Sequence, residues 1–163
     1  MAFTDEGLSA LTEVFYRLLL STSHRRVTTM GMICKMFIKH FLEDESTTEE
    51  DKGDLKLKLE KIEGFTRNAG GVGHPLGLLE QIVFRDISYG RKTDTMYNYG
   101  FKRKAFTLGS AIFKIQQVEE EILDIFAELS LKYGLEPPLS YEGILGETPL
   151  KENKIGVRKS WGG

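Results

Sequence analysis

The sequence lacks the features that crosslink, anchor or export a chain. It contains one cysteine in 163 residues, so no disulfide can form within it, which fits a reducing compartment. No apolar run approaches the roughly 20 residues that a membrane-spanning helix needs. Residues 1–6, Met-Ala-Phe-Thr-Asp-Glu, lack the basic and apolar regions of a secretory signal. We therefore expect an intracellular, cytoplasmic protein.

Neither sign of charge predominates. The chain carries 22 basic and 24 acidic side chains, a formal net charge of −2. This balance excludes a uniformly basic coat for nucleic acid, but a local basic patch depends on where the charges lie. Apolar residues make up 40% of the chain, which is enough for a hydrophobic core.

Apolar residues recur at helical spacing along most of the chain. The pattern predicts an all-α helical bundle of about five helices, over residues 5–21, 28–43, 48–66, 75–87 and 102–133. Thr4 is placed to cap the first helix, and Pro75 suits the first position of the fourth.

The longest predicted helix, about residues 102–133, has an apolar seam that is sustained over roughly three heptads. At 1.5 Å per residue it is about 45 Å long, so we expect the other helices to pack against it. Gly134 and Pro137-Pro138 mark its end. The seam residues are Leu108, Ile112, Ile115, Val118, Ile122, Ile125 and Leu129.

Two segments allow more than one interpretation. Residues 55–59 read Leu-Lys-Leu-Lys-Leu, and this alternation is typical of a strand, although the flanking lysines and glutamates favour helix. Met30, Met32 and Met36 fall within seven residues, which favours adaptable core packing over a binding face.

The last part of the chain differs from the rest. Residues 135–163 contain three of the four prolines, and their apolar residues follow no period. We expect a helical bundle domain over 1–134 and an extended C-terminal tail over 135–163. The apolar content of the tail favours docking on its own domain or on a neighbour.

No catalytic, cofactor or metal motif is complete. The glycine-rich residues 70–77 lack the lysine and hydroxyl of a phosphate loop and are better explained as a flexible hinge. Cys34 lies in an apolar stripe, and the three histidines are scattered, which argues against zinc. The carboxylates at 119–121 and Asp124 are typical of a solvated face; a divalent-metal site built from them is the enzymatic alternative. We expect a protein that is not an enzyme and has no cofactor.

One segment, residues 89–106, combines basic and aromatic side chains. Five basic residues against Asp94 give it a net charge of +4. Cations neutralise phosphates, and aromatic rings stack on unpaired bases. The candidate contacts are Arg91, Lys92, Lys102, Arg103 and Lys104 for phosphate, and Tyr89, Tyr97 and Tyr99 for stacking.

Lys102, Arg103 and Lys104 stand at the predicted start of the long helix, where the helix dipole disfavours cations. This placement indicates that these three cations bind an anion from outside the chain. Arg25 and Arg26 form a second basic cluster that would extend the patch. The alternative is that all these cations are solvated and cover apolar surface with their stems.

The sequence therefore predicts a non-enzymatic assembly subunit that contacts RNA or DNA backbone without sequence preference. It would belong to a multisubunit nucleoprotein complex or to a viral or phage nucleoprotein or coat. The alternative is a protein–protein adaptor or homo-oligomeric structural protein. Residues 43–63 carry nine acids and four bases, so copies with opposite patches are able to stack head to tail.

Overall fold

A computed structural model of the chain describes residues 3–21, 25–68, 75–89 and 108–136. These residues form five helices and no strand, which confirms the all-α fold class. The helices are α1 (Asp5–Leu19), α2 (Arg26–Glu43), α3 (Glu49–Asn68), α4 (Leu76–Tyr89) and α5 (Leu108–Tyr133). The predicted first turn and a half of the fifth helix, 102–107, lies outside the described residues, as does the tail beyond Glu136.

Local sequence signals explain where the helices begin and end. The Thr4 side chain accepts a hydrogen bond from the Gly7 N–H at 3.1 Å, so it caps α1 as predicted. At the end of α5, Gly134 adopts a φ of 69°, a left-handed conformation that glycine reaches without strain. Its N–H donates to the Ser130 carbonyl at 2.9 Å and closes the helix.

The ambiguous segment 55–59 is helical. A strand would place Leu55, Leu57 and Leu59 on one face. In a helix, residues that are two positions apart point in different directions. Leu55 is 1% exposed and Leu57 is 67% exposed. The charged flanks thus indicated the right structure, and the alternation did not.

Side-chain contacts fix the directions of three helices. Along α2 and α5, Arg26 pairs with Glu119, Phe37 lies 5.6 Å from Phe126, and Phe41 stacks on Tyr133. Because residue numbers rise together, α2 and α5 run parallel. On α3 the order reverses, since Asp51 pairs with Lys132 and Lys61 pairs with Glu121. α3 therefore runs antiparallel to both.

Aromatic rings fill the centre where α1, α2 and α5 meet. Phe15 of α1 stacks on Phe126 of α5 with ring centroids 3.7 Å apart, and Tyr16 meets the same ring edge-on. Phe15, Phe37 and Phe126 are fully buried. Each such side chain contributes about 1.5–3 kcal/mol through its removal from water.

α4 lies at the end of the bundle where α2 begins. α2 starts opposite Glu119, so the first eleven residues of α5 extend past the start of α2. α4 packs against α5, and its Glu80 contacts the first turn of α2. Within the described part of the chain, no helix is both long enough and apolar enough to cross a bilayer.

Candidate functional site

Most of the predicted nucleic-acid contacts lie where the structure gives no description. Tyr89 is the last residue of α4, but its side chain is not described. The residues outside the described ranges are Arg91, Lys92, Tyr97, Tyr99, Lys102, Arg103 and Lys104. Their role stays a prediction. The structure does describe Arg25, Arg26 and the two helices that this segment connects.

Arg25 is exposed and precedes α2 directly. Its Nη2 atom is 3.4 Å from the position that a Cβ would occupy on Gly77, in the first turn of α4. The guanidinium of Arg25 therefore reaches across from the start of α2 to the start of α4.

Arg26 is buried, which corrects the prediction that it belongs to a surface patch. Its side chain is 1% exposed and forms an ion pair with Glu119, which is fully buried on α5. Its Nη1 atom also lies 3.8 Å from the sulfur of Met30. A guanidinium in this position is turned to the protein interior and does not meet an external phosphate.

Glu119 corrects a second prediction, that the carboxylates of residues 119–121 and Asp124 form a solvated face. Glu119 is fully buried, whereas Glu120, Glu121 and Asp124 are partly exposed. Glu121 pairs with Lys61 of α3 at 2.8 Å. Glu119 therefore lies in the interior, whereas Glu121 lies at the α3–α5 interface.

Glu80 of α4 binds the N-terminus of α2. One carboxylate oxygen accepts from the Val27 N–H at 2.7 Å. The other accepts from the Thr28 N–H at 2.9 Å and from the Thr28 hydroxyl at 2.6 Å. Arg25, at the N-cap position, supplies no side-chain cap of its own. Glu80 therefore caps α2 from a helix that lies more than fifty residues further along the chain.

Glu80, Arg26 and Glu119 form one buried charged cluster between α2, α4 and α5, with exposures of 0–1%. Burial raises the pKa of the Glu80 carboxyl, while hydrogen bonds from Thr28 and Val27 and the charge of Arg26 oppose that rise. The dipole of α2 also favours a negative charge at this position. The charges and hydrogen bonds of this cluster thus connect α2, α4 and α5.

The sequence did carry a signal for these buried charges. Glu80 follows Leu79 on the face that also holds Leu76 and Val83, and those three side chains are fully buried. Glu119 likewise lies between Val118 and Ile122 on the buried seam of α5. A charged residue at a core position of an amphipathic helix predicts a buried partner, although it does not identify that partner.

Cys34 is a core residue, as its apolar surroundings predicted. It is fully buried, and its Sγ atom lies 4.0 Å from the carbonyl oxygen of Ile122. Burial raises the pKa of its thiol, which suppresses the reactive thiolate. His40 has a structural contact, since its Nδ1 atom accepts from the Phe3 N–H at 2.9 Å. Among the described residues, no three His, Cys, Asp or Glu side chains are grouped to hold a metal.

The methionines of α2 divide between interior and surface. Met30 is fully buried, but Met32 and Met36 are 50% and 39% exposed. The prediction of core packing is therefore wrong for Met32 and Met36, which lie one turn apart on the outer face of α2.

The acidic segment, residues 43–54, lies at the opposite end of the bundle from α4. It joins the last turn of α2 to the first turn of α3, and Asp51 reaches Lys132 near the end of α5. We call residues 43–54 the acidic corner. The 26 residues of α5 separate its two ends by about 39 Å, at 1.5 Å per residue.

No protein-family model, curated protein or solved structure matches this chain.

Proposed function

We propose that this protein is a non-enzymatic helical assembly subunit that contacts RNA or DNA backbone through residues 89–106. It works inside the cell or within a nucleoprotein particle, as part of a multisubunit nucleoprotein complex or of a viral or phage nucleoprotein or coat. Phosphates pair with Arg91, Lys92 and the cations at 102–104. Tyr89, Tyr97 and Tyr99 stack on bases, and Arg25 adds an exposed cation.

The placement of charge in the bundle supports this proposal. The basic segment leaves α4 at Tyr89 and enters α5 at Leu108. α4 and α5 pack together, and Leu108 is about 39 Å from the far end of α5, where the acidic corner lies. Electrostatic repulsion in physiological salt decays over about 8 Å. The acidic corner is therefore too distant from this entry point to repel a polyanion there, and the near-neutral net charge does not oppose binding.

The test is a mobility-shift titration with single-stranded RNA and DNA at two salt concentrations. Wild-type binding weakens as salt rises, because each phosphate contact releases counterions. Changing Lys102, Arg103 and Lys104 to Glu abolishes the shift. The matched control changes Lys35, Lys39 and Lys56 to Glu, which alters the net charge equally on α2 and α3 and leaves the shift in place.

Equal affinity of the wild type and the 102–104 variant would contradict the proposal, as would equal losses in the two triple variants. Circular dichroism of each variant establishes that the helices remain. If the 102–104 variant loses helicity, the same assay is carried out on a variant in which Arg91 and Lys92 are changed to Glu.

The second candidate is a protein–protein adaptor or homo-oligomeric structural protein with no nucleic acid. The exposed pair Met32 and Met36 favours it, because flexible, polarisable methionines are common on protein-binding surfaces. This candidate predicts that the 102–104 variant keeps its oligomeric mass and its partners, and that no oligonucleotide shifts at low salt.

A further inference from the structure

The first turn of α2 depends on α4 for its hydrogen bonds. The first N–H groups of a helix have no partner within the helix. In α2 the N–H groups of Val27 and Thr28 both donate to Glu80, and the Thr28 hydroxyl does the same. No side chain at the N-cap position replaces these bonds, and the first turn contains no acidic residue.

α4 in turn packs against α5, α3 and α2. Its buried apolar side chains are Leu76, Leu79 and Val83. Glu80 stands among them as a fully buried carboxylate. Removal of a carboxylate from water costs several kcal/mol, and the three hydrogen bonds to Glu80 offset this cost. If α4 moves away from α2, all three hydrogen bonds to Glu80 break together.

The neighbouring charges strengthen this dependence. Arg26, between Arg25 and Val27, pairs with Glu119 of α5 and lowers the cost of burying Glu80. The polar part of the seat of α4 thus consists of the first turn of α2 together with the Arg26–Glu119 pair. These charges hold α4 in one register, because a shift of α4 by one residue moves the Glu80 carboxylate away from its donors.

We propose that Glu80 is a latch that couples the seating of α4 to the ordering of the first turn of α2. When the latch is closed, the Val27 and Thr28 amides are protected and α4 is held at the start of α2. When it opens, both helices loosen as one event.

Amide hydrogen exchange of the full-length protein tests the latch, with residue resolution by NMR. In Glu80→Ala, the Val27 and Thr28 amides exchange about tenfold faster or more, as the loss of charged hydrogen bonds implies. The amides of α4 accelerate with them. In Glu80→Gln, which keeps the side-chain volume and one carbonyl oxygen, the acceleration is smaller. Glu60→Gln, on the exposed face of α3, is the control and leaves both sets unchanged.

The reciprocal variant separates a latch from a local cap. Leu79→Ala removes buried apolar surface of α4 and none of the three hydrogen bonds. If α4 and the first turn of α2 open together, Leu79→Ala also accelerates the Val27 and Thr28 amides, while Leu131→Ala, at a position 82% exposed, does not. Acceleration confined to α4 in Leu79→Ala, or confined to Val27 and Thr28 in the Glu80 variants, would overturn the proposal. If Glu80→Ala fails to fold, the Glu80→Gln and Leu79→Ala pair still decides it.

Discussion

Arg26 and Glu119 show that a charge at a core position is tolerated when its partner is also buried. The cost of removing both charges from water is balanced by their attraction in the interior, and the pair adds little net stability. We expect the pair to favour one register of α2 along α5, because a shift of either helix separates the two charges.

Single and double replacements of this pair are expected to differ in their free energy of unfolding. Arg26→Met and Glu119→Leu are each expected to destabilise the protein by about 3–5 kcal/mol, because each leaves one charge buried without its partner. The double variant recovers part of this loss, because only the Glu80 carboxylate, held by its three hydrogen-bond donors, then remains charged at the site. Urea unfolding measures all four proteins. Additive losses in the double variant would contradict the pairing.

α3 has the fewest fully buried apolar side chains among the described helices. Of its 20 residues only Leu55 and Ile62 are buried, and ion pairs to α5 lie along its length. Lys58 contacts Asp54 at 2.6 Å and Glu128 at 2.9 Å. Because these pairs are partly exposed and screened by salt, apolar contacts dominate the attachment of α3. Leu59 and Phe65 also pack against the core, although they are only partly buried.

Leu55 and Leu57 provide a matched test of this attachment. Leu55→Ala removes a buried side chain and is expected to cost about 2–5 kcal/mol. Leu57→Ala, two residues away with the same chemistry, changes stability by about 0.5 kcal/mol or less, because the side chain is already in water. Thermal unfolding compares the two. Similar losses would indicate that the two leucines share one buried face, as a strand requires.

The elements were predictable from sequence because their signals are local. The Thr4 cap, the Gly134 stop and the 3.6-residue periodicity each depend on a few neighbouring residues. The partners of Arg26 and Glu80 were not predictable, because each lies on a helix more than fifty residues away. The basic segment was recognised by composition alone, and its function remains a prediction.

At the scale of the whole molecule, the bundle holds the residues that directly follow α5 through a few defined contacts. Leu135, just past α5, is 2% exposed. Its carbonyl accepts from the Tyr16 hydroxyl at 3.3 Å and from the Ser130 hydroxyl at 2.9 Å. The predicted tail, 135–163, thus begins with a residue that belongs to the core of the bundle, so the bundle domain extends at least to Leu135.

Two truncations are expected to differ sharply. A chain that ends at Glu136 keeps the helix stop at Gly134 and the buried side chain of Leu135, and it serves as the reference. A chain that ends at Tyr133 loses both and is destabilised by about 2–4 kcal/mol. Denaturant unfolding measures the difference. Equal stability of the two truncations would show that Leu135 contributes nothing to the core.

The same Glu136 truncation distinguishes the two candidate functions. If the tail connects copies of an oligomeric structural protein, light scattering records a fall in mass when residues 137–163 are removed. If nucleic acid is the partner, the truncated chain keeps its oligonucleotide affinity.

The single buried thiol has a practical consequence. Cys34 is sealed between α2 and α5, and the chain has no second cysteine to compete for a reagent. An alkylating reagent therefore gains access only when the core around Cys34 opens, and each modified molecule records one such opening as a fixed increase in mass. The unmodified protein thus carries its own chemical probe of core opening, with no added label and no engineered residue.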